Sequence, residues 1–192
     1  MNVLEERICR EGRILPGNIV KVDGFLNHQI DTALMGKLAD EFARRFDLSK
    51  VTKILTAEAS GIAMSAICAY RWGLPMVFAK KAKSDNIEGG LLQSRIMSYT
   101  YKKQVTLIAA KDWLKPEDKI LILDDFMARG EAIRGLIDLV KQSGAELVGI
   151  GIAVEKGFQH GGDGLRQGGY PIESLAIIDG ADENGFQFRK QN

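Results

Sequence analysis

Histidine and cysteine are nearly absent from this chain, with two of each in 192 residues. His28, His160, Cys9 and Cys68 are scattered, so no pair has metal-ligand spacing, and neither a zinc site nor a Ser-His-Asp triad is expected. Two cysteines so far apart favour free buried thiols over a disulfide. Charge of one sign is lacking too. The 26 Lys and Arg against 25 Asp and Glu leave +1, which removes the electrostatic basis for a nucleic-acid surface. No apolar run reaches the length of a membrane span. The opening MNVLEERICR has early acids and no apolar signal core, so a cytoplasmic location is expected. No Gly-x-Gly-x-x-Gly follows a strand and no Gly-Lys-Ser/Thr occurs, which weighs against dinucleotide and Walker-type sites.

Two periodicities alternate along the chain. IDTALMGKLADEFARRF sets Ile30, Leu34, Leu38, Phe42 and Phe46 at steps of four, an amphipathic helix that Asp31 can cap. VTKILTA reads as a strand, SGIAMSAICAYRW as a helix stopped by Gly73, and PMVFA as the next strand, a βαβ unit. Residues 80–95, KKAKSDNIEGGLLQSR, show no clean period and read as a long mobile loop, followed by a hairpin from MSYTY and QVTLIAA. DKILILDD is a strand, GEAIRGLIDLVKQSG a helix ending at Gly144, and AELVGIGIAVEK another strand. GFQHGGDGLRQGGY is irregular or a poor helix, and SLAII and FQFR are short closing strands. The fold class is therefore α/β, a mostly parallel twisted sheet flanked by helices, with extra pieces from both chain ends.

In DKILILDDFMARGEAI, residues 118–133, two acids end an apolar run. Ile120 to Leu123 have the character of a strand buried on both faces, from which charge is normally excluded. Asp124 and Asp125 therefore belong where the strand leaves the sheet, at the carboxyl edge that binds ligands in open α/β folds. A helix follows within a few residues, its first-turn N–H groups and dipole suited to a phosphate, and Gly130 allows close backbone approach. Paired acids beside a phosphate cradle suit a ribose 5-phosphate: hydroxyls on Asp124 and Asp125, phosphate on the amides of 127–131. A bare Asp-Asp more often just turns the chain; strand, acids, glycine turn and helix together are rarer. TAEASGIAM is a second strand-turn-helix junction, where Ala59, Ser60 and Gly61 leave room for an anion. Lys80, Lys81 and Lys83 follow the next strand.

ILILDDFMARGEAI resembles the ribose-phosphate signature of the type I phosphoribosyltransferases. KVDGFLNHQID, EASGIA, ILDDFMARG and GIGIAVEKGF match the xanthine-using bacterial members at similar positions, so the likeness spans nearly the whole chain. It implies transfer of phosphoribose from phosphoribosyl pyrophosphate (PRPP) to a 6-oxopurine, xanthine, with guanine and hypoxanthine as enzyme alternatives and a PRPP-sensing regulator as a rival from another class. It implies a single domain, with a core of about residues 48–156 and a purine-binding hood from 1–47 and 157–192. Asp124 and Asp125 hold the ribose hydroxyls. Ala128, Arg129, Gly130, Glu131 and Ala132 hold the 5'-phosphate, with Arg129 adding charge and Glu131 turned away. Ala59, Ser60, Gly61, Lys80 and Lys81 bind pyrophosphate. Val20, Asn27 and Lys156 contact xanthine, with Phe158 a candidate to stack on it. Mg²⁺ travels with PRPP and no protein ligand binds it directly; the protein is a homodimer. The chain departs from the family in its phosphate turn, where Ala128 and Ala132 replace hydroxyl side chains and Arg129 replaces Asn, and at Val20, where leucine is usual.

Overall fold

The computed structural model describes residues 1–17, 19–81, 90–98, 103–182 and 185–191. Asn2 opens helix α1 (Val3–Glu11) with a reciprocal cap: its side chain accepts from the Leu4 and Glu5 amides while Glu5 reaches back to the Asn2 amide. The sequence reading placed no element here, although the cap and the buried pair Leu4 and Ile8, one turn apart, carry the signal. A small hairpin follows, β1 (Arg13–Leu15) with β2 (Ile19–Lys21). Helix α2 (Thr32–Arg45) begins at Asp31, whose carboxylate accepts from the Leu34 amide, as its sequence indicates.

The expected βαβ unit is present as β3 (Lys53–Ala57), α3 (Ser60–Trp72) and β4 (Met76–Ala79), with Gly73 in the left-handed region at φ 66°. Of the long loop expected over 80–95, residues 82–89 lie outside the described residues, and its last part is strand β5 (Leu91–Ser98), which pairs with β6 (Lys103–Ala110). Alternation decides this: Leu92, Ser94 and Ile96 are buried while Gln93 and Met97 are exposed. Lys83 lies outside the described residues. Then come β7 (Lys119–Met127), α4 (Glu131–Ser143), β8 (Glu146–Lys156), a short helix α5 (Gly161–Gln167) from the glycine-rich stretch, β9 (Ile172–Asp182) and β10 (Gly185–Phe188).

Six strands form the main sheet in the order β10-β9-β8-β7-β3-β4, parallel except for β10 at one edge. Strands β9 and β10, read from the sequence as short pieces of the hood, are part of this sheet, and β9 is longer than SLAII suggested. Leu121 and Leu123 pack under α2 and α3, and Ile120 and Ile122 under α4, so β7 is buried on both faces. Its pairing with β3 ends at Ile122, while pairing with β8 runs on to Met127. The acids thus lie past the sheet edge on one side only. Gln142 of α4 bonds both backbone groups of Gln93, which fixes the hairpin to that helix. Among the described residues no helix is long and apolar enough to cross a membrane.

Two glycines let α2 approach β8 closely. A methyl group at Gly149 would sit 2.6 Å from Phe46 Cε1, and one at Gly151 2.6 Å from Leu123 Cδ2 and 2.9 Å from Phe42 Cε1. Because these rings are held in a packed core, Gly151→Ala is expected to destabilise by about 1–3 kcal/mol, read from the denaturant midpoint. An unchanged midpoint would show that α2 can move aside.

Candidate active site

The carboxyl ends of β3, β7 and β8 open into one cavity of about 350 Å³. Asp124, Asp125, Ala128, Arg129, Gly130, Glu131 and Ala132 line it, together with Ser60, Lys81, Val20, Asn27 and Lys156. Segments far apart in sequence are gathered there by the parallel strand order, as the crevice rule for open α/β sheets requires.

Asp124 and Asp125 are both buried. Ser60 Oγ donates to Asp125 Oδ1 at 2.8 Å, and the Asp125 amide donates to Asp124 Oδ1 at 3.0 Å. Ser60 therefore orients an acid, a role beyond the anion contact expected of it. Asp125 Oδ2 is buried and accepts from no described residue. Burial, and then the neighbouring Asp125, push the Asp124 carboxyl well above the ordinary range, with Lys81 opposing. Gly61 is placed for packing: a methyl there would collide with Thr56 Oγ1 and come within 2.7 Å of Asp124 Oδ1.

Helices α3 and α4 point their N-termini at this space, and both start without a side-chain cap. Their first-turn amides are thus left to a ligand or water, in contrast to the capped α1 and α2. Gly130, at φ 82°, turns the chain into α4, a conformation that favours glycine. Glu131 lies 4.0 Å from Arg134 Nε. At the other junction Glu58 accepts from the Lys81 amide, which occupies one oxygen of an acid that is awkward beside an anion. Of the two lysines expected here, Lys81 lines the cavity and Lys80 does not; the Lys80 backbone is tied to Ile108 in both directions at 2.8 Å. Neither Ala59 nor Gly61 is on the cavity wall.

At the far end Lys156 Nζ stands 5.4 Å from the centre of the Phe126 ring, and burial lowers its pKa. Phe126 is the aromatic on the wall; Phe158, the sequence candidate, packs against the core instead. Register explains the difference. Phe126 pairs with Val154, two residues before Lys156, whereas Phe158 falls in the tight turn Gly157–Gln159 beyond the strand. Ala57, Glu58, Ile96, Met97, Met127 and Ile133 complete the lining. Of these, Ile96 and Met97 come from β5; the sequence reading put Met97 in an expected hairpin and Ile96 in no element, and no local signal pointed either to the cavity.

Residues 23–178 match the family model described as the phosphoribosyl transferase domain. The chain belongs to this family. It is 52% identical to the xanthine phosphoribosyltransferase of Lachnoclostridium phytofermentans over 93% of this chain and 92% of the relative. It is 47% identical to that of Ruminiclostridium cellulolyticum over 98% and 99%. Among solved structures, an adenine phosphoribosyltransferase from Giardia lamblia superposes with a TM-score of 0.78 at 20% identity, covering 92% of this chain and 98% of that one, a likeness of fold.

The raised pKa of Asp124 has a sign that can be tested. The folded chain holds this proton more tightly than the unfolded chain. Stability is therefore lost as pH rises from the unfolded value, about 4, through the higher folded value. Asp124→Asn removes that penalty, so its melting midpoint relative to wild type should be more favourable at pH 8 than at pH 4. A pH-independent difference would place the charge penalty elsewhere.

Proposed function

We propose that this protein transfers the 5-phosphoribosyl group of PRPP to xanthine in the cytoplasm, giving xanthosine 5'-monophosphate and pyrophosphate. The observation that carries this reading is the single cavity joining two buried carboxylates, two uncapped helix starts and a cation at the opposite end. Ribose hydroxyls donate to Asp124 and to the unpartnered Oδ2 of Asp125, the 5'-phosphate takes the amides of 128–132, and the pyrophosphate takes the start of α3 and Lys81. At the base end Lys156 donates to the 6-oxo group, and the Asn27 amide can both donate and accept toward an adjacent N–H and carbonyl. Val20 closes that side against the base.

Catalysis then rests on position and charge. The bond from C1 to the pyrophosphate oxygen breaks with oxocarbenium character, and the purine nitrogen bonds C1 from the opposite face. Lys81 stabilises the charge that builds on pyrophosphate. Mg²⁺ fits as part of the substrate. Glu58, Asp124 and Asp125 are hard oxygen donors near it, while the described residues contain no cluster of three acids, histidines or cysteines able to cage a metal. Its ligands would come from PRPP and water, and bound there it would neutralise pyrophosphate charge. The family likeness supports a homodimer.

Adenine is disfavoured, because its exocyclic amine offers Lys156 a donor where an acceptor is needed. Incubation with PRPP, Mg²⁺ and each purine should yield nucleotide with xanthine in clear preference to guanine, hypoxanthine and adenine. Preference for another base would reassign the substrate; PRPP binding without turnover on any base would mark a regulator. Asp124→Asn with Asp125→Asn should cut turnover by at least about 100-fold while the chain stays folded. Lys156→Ala should raise the KM for xanthine by roughly ten- to a hundred-fold, the loss of a charged hydrogen bond. Unchanged base use in steady-state assays would remove Lys156 from the base site.

A further inference from the structure

The glycine-rich stretch GFQHGGDGLRQGGY supplies no residue to the cavity wall, yet its helix α5 lies directly under the turn assigned to phosphate. A methyl group at Gly161 would collide with Ala128 O and lie 2.5 Å from Arg129 C and 2.7 Å from Gly130 N. One turn later Leu165 meets the same segment: a methyl at Gly130 would sit 3.1 Å from Leu165 Cδ1 and 3.5 Å from Gly161 O. The turn therefore rests on both turns of α5, backbone on backbone at Gly161 and on the Leu165 side chain one turn later.

Seven residues containing Gly161, Gly162 and Gly164 have little helical stability of their own. What holds them is an ion pair between the half-buried Arg166 and the buried Glu155. Arg166 donates from Nη1 to Glu155 Oε1 at 2.9 Å and from Nη2 to Oε2 at 2.7 Å, while Ser174 Oγ donates to Oε2 at 2.5 Å. Glu155 is only 1% exposed, so an imperfect partner would leave a costly charge in the sheet. Gly162 is required for the approach, since a methyl there would collide with Glu155 Oε1. Outside this pair Asp163 lies 3.9 Å from Arg166 and 2.5 Å from Arg189, and Arg189 reaches Asp179 at 2.6 Å, which fastens α5 to the end of β9 as well. Glu155 directly precedes Lys156 on β8, and successive side chains of a strand face opposite ways. One strand thus carries the base-end lysine on one side and the anchor of α5 on the other.

We propose that α5 is a strut fixing the position of the phosphate turn, with Gly161 and Arg166 as its positioning residues. The proposal rests on reading residues 128–132 as the phosphate turn. Wild type, Gly161→Ala and Arg166→Lys are titrated separately by calorimetry with ribose 5-phosphate and with pyrophosphate in Mg²⁺, and folding is checked by circular dichroism. Gly161→Ala should weaken ribose 5-phosphate by roughly ten- to a hundred-fold, the scale of an ångström misplacement, and change pyrophosphate affinity by less than about twofold. Arg166→Lys keeps the charge but loses the fork, so the same selective loss is expected; it decides the matter if Gly161→Ala does not fold. A folded variant that binds ribose 5-phosphate as wild type does overturns the proposal, as does equal weakening of both ligands. Wild type binding neither ligand would instead defeat the reading of the turn, and the proposal with it.

Discussion

A carboxylate buried beside a second carboxylate is among the least comfortable arrangements in a protein interior, and Asp124 occupies it. The cost is borne because β7 is packed on both faces and cannot shift its end to expose the group. Almost every feature of the site follows from accommodating that pair. Gly61 has no side chain because the Asp124 carboxylate fills the space, and Ser60 spends its hydroxyl on Asp125. A ligand rich in hydroxyl donors relieves what the folded chain alone cannot.

The electrostatics are divided along the cavity. Amides at two helix starts and the Lys81 ammonium favour anions at one end, and a single half-buried lysine stands over an aromatic ring at the other. Little of this needs charged side chains at the phosphate turn. On the proposed reading, Ala128 and Ala132 can stand where hydroxyl residues are common because the backbone would supply the donors, and that backbone lies against Gly161.

The sequence made β7, α4 and the turn between them readable, because burial on both faces and a punctuating glycine are local signals. The same holds for α2 and its Asp31 cap and for the βαβ unit ending at Gly73. What stayed hidden was decided by contacts across the chain. Phe126 and Phe158 look alike in sequence, and only strand register puts the first on the cavity wall. Lys80 and Lys81 are equivalent as letters until an isolated bridge to β6 takes the backbone of Lys80. The glycines of α5 argue against a helix by propensity, yet each of Gly161 and Gly162 is demanded by a neighbour that a side chain would displace. The hairpin was expected, but its first strand begins at Leu91, earlier than MSYTY indicates, because the basic and glycine-containing lead-in masks the period of Leu91–Ile96.

The bridge between Lys80 and Ile108 has a mechanical meaning. It couples the two-stranded hairpin to the residue next to the cavity lysine through a reciprocal pair of peptide bonds' own donors and acceptors, with no flexible side chain between. A displacement of the hairpin would therefore reach the backbone beside Lys81 directly, with no side chain in between to absorb it.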